Sequence, residues 1–404
     1  MTFTPLVYKL KGKVQHYAWG GFSALPQLLN QPNKEQKPFA EYWLGAHPLH
    51  SSVVEIAGEE KPLSTLIQSN PETFLGERVL RRFSAFPFLL KVLDVRQMLS
   101  IQVHPSKAAA ETAFAAENAA GLAPDAPNRN YKDDNHKPEL MVALSDFWLL
   151  HGFKTEEALK EMLSSEPDFQ FLLPTFEESG YEGLYRQVMT MDQGDVNAVL
   201  QPVIERIMPL YRNGDLQKEH EDFWAARAFE TFCKGKDYDR GIFSIYFFNL
   251  LHLKRGEGIY QPAGLPHAYL EGQNVEIMAN SDNVLRAGLT DKHIDINELM
   301  KHVQFTATVP NIIHADEKAQ ETVYKSAAAE FEVSRLKLEK GAPASWQSSG
   351  PEILLVLAGD TELEAAETTL HLTKGEAAFI MPGAAINVQA AAPALVFKAV
   401  VPNG

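Results

Sequence analysis

Lys137 and Glu139 are the residues most suited to chemistry, because a short polar stretch brings them together at the start of an apolar run. Between them, Pro138 fixes its own backbone angle φ and biases Lys137 toward an extended conformation. Residues two apart in an extended strand point to the same face, so the ammonium and carboxylate groups should lie side by side. Such a pair is either an ordinary surface ion pair or part of an active site.

Two histidines and one glutamine could join Glu139 around a metal ion. Gln102 and His104 alternate along one predicted strand and would share a face, and His267 follows a Gly-Leu-Pro turn. A histidine beside a proline is more often structural, but two histidines and a carboxylate on separate strands of one barrel commonly hold a divalent metal. Without sulfur ligands, zinc is the best candidate for one site per chain, and manganese, iron and cobalt remain open.

A second charged stretch, residues 276–293, contains Arg286 and Lys292. In a functional interpretation both side chains meet a phosphate group, Arg286 as a two-pronged donor and Lys292 as a point charge. The alternative is a polar loop whose charges are simply solvated. Spacing alone does not separate these two interpretations.

The composition argues against several classes of protein. The chain has 404 residues, a formal net charge of −15 and one cysteine, Cys233. The length predicts two or three domains, and the negative charge argues against nucleic acid or an anionic membrane as a partner. A single cysteine rules out an intramolecular disulfide and a cysteine-based zinc site. Without a signal peptide or an apolar run of transmembrane length, a cytoplasmic protein is expected.

Apolar patterns divide the chain into β-rich regions and a helical middle. Thr155 is suited to cap a helix, and the patterns are helical over residues 155–236. The apolar run at residues 243–253 predicts a return to strand structure. Many short strands separated by Gly and Pro turns are expected in residues 309–404.

One internal repeat links the two β-rich regions. Residues 252–267, here called the first corner, align without gaps on residues 371–386, the second corner. They share a leucine, a Gly-Glu pair and a second glycine, which predicts that one strand–turn–strand corner is used twice. Because Ile386 takes the position of His267 in the second corner, we expect metal chemistry in the first copy only.

Several motifs resemble those of one enzyme family. Residues 131–139, Tyr-x-Asp-x-Asn-His-Lys-Pro-Glu, resemble a signature of the type I phosphomannose isomerases, which are mannose-6-phosphate isomerases of the cupin superfamily. Residues 281–292, Ser-Asp-Asn-Val-Leu-Arg-Ala-Gly-Leu-Thr-x-Lys, resemble the second family signature, and residues 41–48 and 102–105 also match family patterns. The resemblance extends from about Lys13 to Lys292.

The resemblance implies a mainly β fold with an α-helical insertion. We expect a cupin-type jelly-roll catalytic barrel made of residues 1–154 and 237–308, with a helical domain inserted at residues 155–236. Residues 309–404 would form a second, C-terminal jelly-roll barrel that lacks metal ligands. A monomer is expected.

The resemblance also implies a zinc enzyme that interconverts mannose 6-phosphate and fructose 6-phosphate by proton transfer through an enediol or enediolate. The family's metal ligands match Gln102, His104, Glu139 and His267. Among the catalytic candidates, Glu276 is a plausible base, Lys137 a proton donor or electrostatic partner, and Arg286 a stabiliser of negative charge. Residues expected around the phosphorylated hexose are Ser100, Tyr269, Asp282 and Lys292.

Two alternatives belong to other functional classes. Jelly-roll barrels with histidine and carboxylate ligands also serve metal-dependent oxygenases, although that function does not account for Lys137, Arg286 and Lys292 near the ligands. A cupin that binds a sugar without catalysis is the second alternative, suggested by a repeat copy without ligands.

Overall fold

The structure, a computed structural model, describes residues 5–403 except positions 57, 124, 234 and 236. Residues 1–4 and 404, at the ends of the predicted domains, and residue 236, at the end of the predicted insertion, therefore lie outside the description. The described strands form three antiparallel sheets, and most of the helices lie in the middle of the chain.

Short strands make up most of both β-rich regions. In chain order they are β1 Val7–Lys11, β2 Lys13–Gln15, β3 Glu41–Gly45, β4 Val53–Ile56, β5 Glu59–Pro62, β6 Phe88–Val95, β7 Gln102–Val103, β8 Glu139–Ala143, β9 Phe147–Phe153, β10 Phe248–Leu253, β11 Gly258–Gln261, β12 His267–Ala279, β13 Leu285–Arg286, β14 Glu321–Tyr324, β15 Glu332–Leu338, β16 Ala344–Gln347, β17 Glu352–Ala358, β18 Thr361–Ala365, β19 Thr368–Leu372, β20 Ala377–Ile380, β21 Ala385–Gln389 and β22 Ala394–Val400. Strand β12 is the longest of those described.

The helices form the other part of the fold. In chain order they are α1 Ala24–Leu28, α2 Leu63–Ser69, α3 Pro71–Phe83, α4 Lys107–Ala119, α5 Glu156–Ser165, a 3-10 helix Pro167–Leu172, α6 Leu173–Thr190, α7 Gln193–Asn213, α8 Glu221–Phe232, α9 Gly241–Phe247 and α10 Ile296–Leu299. Within the described part of the chain, none of them combines the length and apolar character needed to cross a membrane.

The sheets connect the two ends of the chain. A ten-stranded sheet has the order β10-β9-β12-β6-β3-β2, with β7, β8, β11 and β13 paired beside it, and a four-stranded sheet has the order β16-β21-β18-β19. The eight-stranded sheet, β14-β15-β22-β17-β20-β1-β4-β5, combines three N-terminal strands with five C-terminal ones. None of these sheets of described strands closes on itself. The predicted combination of mainly β structure with helices is confirmed at this level.

The helical segment begins as predicted and packs onto the ten-stranded sheet. The Thr155 hydroxyl accepts a hydrogen bond from the Ala158 N–H at 3.3 Å, which caps α5. Fully buried side chains such as Phe169 and Trp224 share one apolar core with Trp148 of β9. Burial of that core fixes the helices against the sheet that carries the candidate site.

The strand predicted over residues 243–253 is wrong in its first half. Residues 241–247 form α9, and only Phe248–Leu253 pairs as β10. All seven residues of α9 are buried, so its sequence has no polar face to reveal the helical period. A buried run of this length with a single serine, Ser244, is compatible with either structure, and tertiary packing favours the helix here.

The repeat is confirmed in the backbone. Gly256 and Gly375, equivalent positions of the first and second corners, have φ angles of 90° and 87°, which favour glycine. In each corner the next carboxylate accepts a hydrogen bond from the main-chain N–H three residues earlier, at 2.7 Å for Glu257 and 2.9 Å for Glu376. Strands β11 and β20 then begin at equivalent positions.

Candidate active site

Strand β12 organises the candidate site because it carries His267, Tyr269 and Glu276. Its beginning pairs with β7 and β9, and its remainder pairs with β6 and β8. The partners change at Gly272, whose φ is 129° and where a Cβ would lie 2.6 Å from the carbonyl oxygen of Asp146. Glycine therefore allows one strand to reach both groups of partners.

His104, Glu139 and His267 converge near the beginning of β12. The His104 Nε2 lies 3.4 Å from Oε1 of Glu139, and the His267 Nε2 lies 3.2 Å from Oε2 of the same carboxylate. One potential ligand atom from each residue lies within 4.8 Å of the other two. All three side chains are buried, and the His104 Nε2 has no hydrogen-bond partner among the described residues. An orphaned buried nitrogen of this kind fits a metal ligand.

Main-chain carbonyl groups orient both histidine rings. The Nδ1 of His104 lies 2.8 Å from the carbonyl oxygen of Asn283, and the Nδ1 of His267 lies 2.9 Å from that of Leu265. A carbonyl oxygen can only accept, so each Nδ1 carries the proton. Each Nε2 then keeps its lone pair toward Glu139, as a metal ligand requires.

The charges around the cluster favour the protonation states of a metal site. Burial lowers the pKa of His104 to about 4, which keeps its ring neutral at neutral pH. Burial alone would raise the pKa of Glu139, but the positive charge of Lys137 outweighs it and holds that pKa well below its usual range. The predicted pairing of Lys137 with Glu139 is observed at 2.8 Å, in the interior rather than on the surface. A carboxylate with two neutral imidazoles fits a divalent ion of the zinc type.

Gln102 lies between this cluster and Arg286. Of the strand predicted around Gln102, only Gln102–Val103 pairs as β7, with Gln102 opposite His267 on one side and Arg286 on the other. Gln102 also lines the same small cavity as Glu139 and His267. An amide oxygen from this position would bring the set to four nitrogen and oxygen ligands.

Most of the predicted site residues line two neighbouring cavities. An inner cavity of about 50 Å³ is lined by Gln102, Lys137, Glu139, His267, Tyr269 and Glu276. An outer cleft of about 1250 Å³ shares Gln102 and Lys137 and is also lined by Ser100, Asp282, Arg286 and Lys292. His104 lies beside the inner cavity, against Glu139. All eleven predicted site residues therefore meet in one region of the molecule.

Arg286 and Lys292 are neighbouring cations in the outer cleft. Neither side chain makes an ion pair with a described residue, and both line the cleft. Burial lowers the pKa of Lys292, and the positive charge of Arg286 lowers it further. Among the described residues, no carboxylate forms an ion pair with either cation. Two neighbouring cations of this kind favour an anionic ligand such as a phosphate.

Lys91 is a residue of the candidate site that the sequence did not predict. It lies in β6 opposite Glu276, and its Nζ is 3.0 Å from Glu276 Oε1 and 3.5 Å from Glu41 Oε2. Burial alone would lower the pKa of Lys91, but the surrounding carboxylates Glu41, Glu276 and Glu139 raise it above its usual range. Lys91 therefore stays charged. The available signal was a lysine inside the buried strand β6, because a buried charge requires a partner.

Glu276 is held by donors on both of its oxygens. Besides Lys91, the Tyr269 hydroxyl donates a hydrogen bond to Glu276 Oε2 at 2.9 Å. Burial raises the pKa of Glu276, and Lys91 only partly offsets this effect. A carboxylate with raised proton affinity that lines the inner cavity is suited to exchange a proton with a ligand bound there.

His47 is a second missed residue, although it lies in a motif that the sequence comparison used. Its Nε2 lies 3.1 Å from Oδ2 of Asp282, and its ring packs edge-on against Trp43, 4.9 Å between ring centroids. Burial would raise the pKa of Asp282, but His47 and the nearby lysines lower it overall. His47 thus orients an ionised carboxylate at the edge of the outer cleft.

The helical segment forms one side of the outer cleft. Residues of α7 and α8 that line it are Tyr211, Arg227, Glu230, Thr231 and Phe232. Arg227 also pairs with Glu271 of β12, and Lys218 reaches the same carboxylate at 2.5 Å. The helical segment is therefore attached to the strand that carries the site.

The comparisons with known proteins agree on one family. The family model described as phosphomannose isomerase type I, catalytic domain, matches residues 7–156. The mannose-6-phosphate isomerase of Escherichia coli is 38% identical over 380 residues, which cover 92% of this chain and 94% of that protein. The human mannose-6-phosphate isomerase is 31% identical over 434 residues, which cover 98% of both chains.

Solved structures extend the agreement to the fold. The crystal structure of mannose 6-phosphate isomerase from Salmonella typhimurium, bound to its substrate fructose 6-phosphate and to zinc, has a TM-score of 0.86 and 34% sequence identity. It covers 98% of this chain and 100% of that chain. A phosphomannose isomerase variant from the same organism has a TM-score of 0.88.

Proposed function

Because the chain belongs to the type I phosphomannose isomerase family, we propose that it interconverts mannose 6-phosphate and fructose 6-phosphate with one zinc ion per chain. The observation that carries this proposal is the buried cluster of His104, Glu139 and His267 beside a cleft in which Arg286 and Lys292 form no ion pair with a described carboxylate. A phosphorylated hexose is the ligand that both features suit. The Salmonella relative bound to zinc and fructose 6-phosphate supports this assignment.

The metal would be held by His104, Glu139 and His267, with Gln102 as the fourth ligand. Two observations support this set of ligands. The Nδ1 atoms of His104 and His267 are hydrogen-bonded to main-chain carbonyls, and the Nε2 of His104 has no hydrogen-bond partner among the described residues. Bound zinc supplies a Lewis acid that stabilises negative charge on a sugar oxygen.

Glu276 is the proposed base that moves the proton between adjacent sugar carbons. Its burial, its raised pKa and its place in the inner cavity support this role. Lys91 and Tyr269 would orient the carboxylate and adjust its charge. A base must come within about 3 Å of the proton it removes, so this role requires the sugar to reach the inner cavity through the outer cleft.

The remaining residues are proposed to hold the substrate and its developing charge. Lys137 is proposed to donate a proton or to stabilise the enediolate, and Arg286 to stabilise the same negative charge from the outer cleft. Contacts to the phosphorylated sugar are proposed for Ser100, Tyr269, Asp282 and Lys292. Support comes from their positions around the two cavities.

The finer architecture is part of the same proposal. Residues 1–154 with 237–308 would be a cupin-type jelly-roll catalytic unit, residues 155–236 an inserted helical domain, and residues 309–404 a second jelly roll without metal ligands. The enzyme is proposed to be a cytoplasmic monomer without nucleic-acid partners, in keeping with its net charge of −15. The oxygenase and the non-catalytic alternatives are not favoured, because the named relatives are isomerases.

A coupled assay of mannose 6-phosphate conversion tests the function directly. Protein stripped with a chelator should be inactive, and addition of one equivalent of zinc should restore activity. Full activity in verified metal-free protein would overturn the zinc assignment. A zinc-loaded protein that leaves mannose 6-phosphate unchanged would overturn the function itself.

A further inference from the structure

Glu330 makes a contact from the C-terminal region to the stretch that carries Lys137 and Glu139. The His136 Nε2 lies 2.7 Å from Glu330 Oε1, and Glu330 is buried. Burial would raise the pKa of Glu330, but the hydrogen bond and charge of His136 lower it overall. A buried carboxylate at this distance accepts a strong hydrogen bond.

The loop that presents Glu330 is anchored on both sides. It connects β14 and β15, and its flanking residues Tyr324 and Phe331 are buried. Both belong to the same apolar core as Leu140 and Val142 of β8, which directly follow Glu139. The acceptor is therefore held at a defined position relative to the beginning of β8.

His136 and Lys137 point to opposite sides of one backbone segment. His136 reaches Glu330, whereas Lys137 reaches Glu139 and lines both cavities. Pro138 favours an extended backbone at Lys137. In an extended segment, the side chains of adjacent residues point in opposite directions. Any rotation of the backbone that follows loss of the His136 contact must therefore move the Lys137 ammonium group.

The earlier part of the stretch is held differently. The Asn283 amide donates hydrogen bonds at 2.8 Å to the main-chain carbonyls of Asp133 and Asn135. Asn283 lies in the loop after β12, and the last residue that its amide contacts is Asn135, directly before His136. The hydrogen bond to Glu330 holds the side chain of His136, the residue directly before Lys137.

We propose that Glu330 is a positioning residue for the isomerase reaction, acting through His136 to hold Lys137 and Glu139 in place. This inference rests on the proposed function and deepens it, because it assigns the C-terminal region a part in catalysis. The carboxylate touches no reacting atom. Its loss should lower turnover by about ten- to hundredfold, since displacement of a reactive group by about 1 Å has an effect of that order.

Two variants of similar volume isolate the hydrogen bond. Glu330→Gln keeps an oxygen that accepts the His136 proton, whereas Glu330→Met fills the space without such an acceptor. We expect Glu330→Met to lose about ten- to hundredfold in kcat with a nearly unchanged KM for mannose 6-phosphate and one zinc per chain. Glu330→Gln should retain most of the turnover.

A matched control separates positioning from simple stability. His314→Ala removes another histidine–carboxylate pair between the same two regions, His314 Nδ1 to Glu257 Oε1 at 3.0 Å, away from both cavities. Its kcat should equal that of the unaltered enzyme. If Glu330→Met does not fold, His136→Phe breaks the same bond from the other side and should show the same loss of kcat.

The outcomes distinguish this inference from the function on which it rests. Equal kcat values for Glu330→Met and the unaltered enzyme would overturn the positioning role. So would equal losses in Glu330→Met, Glu330→Gln and His314→Ala, because they would indicate general destabilisation. An unaltered protein without isomerase activity would instead overturn the proposed function.

Discussion

The first and second corners share a backbone but surround different chemistry. In the first, His267 is paired with Gln102 of β7 and His151 of β9. In the second, Ile386 is paired with Trp346 of β16 and Ala365 of β18. The same strand–turn–strand geometry therefore presents a polar set in one sheet and an apolar set in the other.

Burial does not distinguish the two positions. His267 and Ile386 are each 3% exposed. What differs is the neighbourhood, because Ile386 belongs to an apolar core with Leu354 and Val388, whereas His267 meets the carboxylate of Glu139. A repeated backbone thus specifies where a side chain points, and the surrounding residues decide whether that position can bind a metal.

The largest effect is expected when the first corner receives the residue of the second. His267→Ile should bind almost no zinc and should lose more than about a hundredfold in isomerase rate, because changes next to metal ligands alone cost about 10- to 100-fold. Elemental analysis and the coupled assay measure both effects. His252→Ile, in the same corner but outside both cavities, should keep its zinc. A zinc-loaded, active His267→Ile would exclude His267 as a ligand.

Arg286→Ala tests the cation that the ten-stranded sheet places next to Gln102, on the opposite side from His267 of the first corner. Removing one group that stabilises developing negative charge should reduce kcat by about a hundredfold, while zinc content stays at one per chain. Lys301→Ala is a suitable control, because Lys301 is exposed and pairs only with Glu298 among the described residues. Near-normal rates in Arg286→Ala would remove Arg286 from the mechanism.

The reciprocal change should damage the second corner without giving it a function. Ile386→His places a polar ring in an apolar core and should lower the free energy of unfolding by about 3 kcal/mol. Denaturant unfolding measures this loss, with Ile386→Val as the apolar control. Metal content should remain one per chain, because no carboxylate faces Ile386 as Glu139 faces His267 among the described residues. Two zinc ions per chain would refute our view of the second corner.

A buried carboxylate in the eight-stranded sheet provides the smallest test. Burial raises the pKa of Glu352 to about 7 from 4.5, with the Trp346 indole N–H donating to Oε2 at 2.7 Å. The folded state then favours the protonated form, so stability is lost as pH rises from about 4.5 through about 7. Glu352→Gln should therefore be more stable by at most about 3 kcal/mol above pH 7 and equal below pH 4.5.

Thermal unfolding over a series of pH values checks this difference. Glu367→Gln, at an exposed position, controls for the removal of one negative charge. A constant difference between Glu352→Gln and the unaltered chain at every pH would contradict the assignment. The contrast with Glu139 is instructive, because Lys137 keeps that carboxylate ionised in an equally buried place.

Sequence reasoning succeeded where the interacting residues are close along the chain or carry a repeated pattern. Lys137 and Glu139 are two residues apart, and the corners repeat their glycines, so both predictions needed only local geometry. Lys91 was missed because its partner Glu276 is 185 residues away. Helix α9 was missed because its residues are all buried and its single serine does not define a polar face with a helical period.

The sequence by itself determined the donor types, the turn glycines and the family resemblance, since these depend on residue identity and short-range conformation. Only the tertiary structure decided which donors converge and in which protonation state. The His104 ring is tied to a carbonyl 179 residues away, and burial keeps it neutral. Such states depend on strand pairing and desolvation, which arise from the whole packed chain rather than from any one segment.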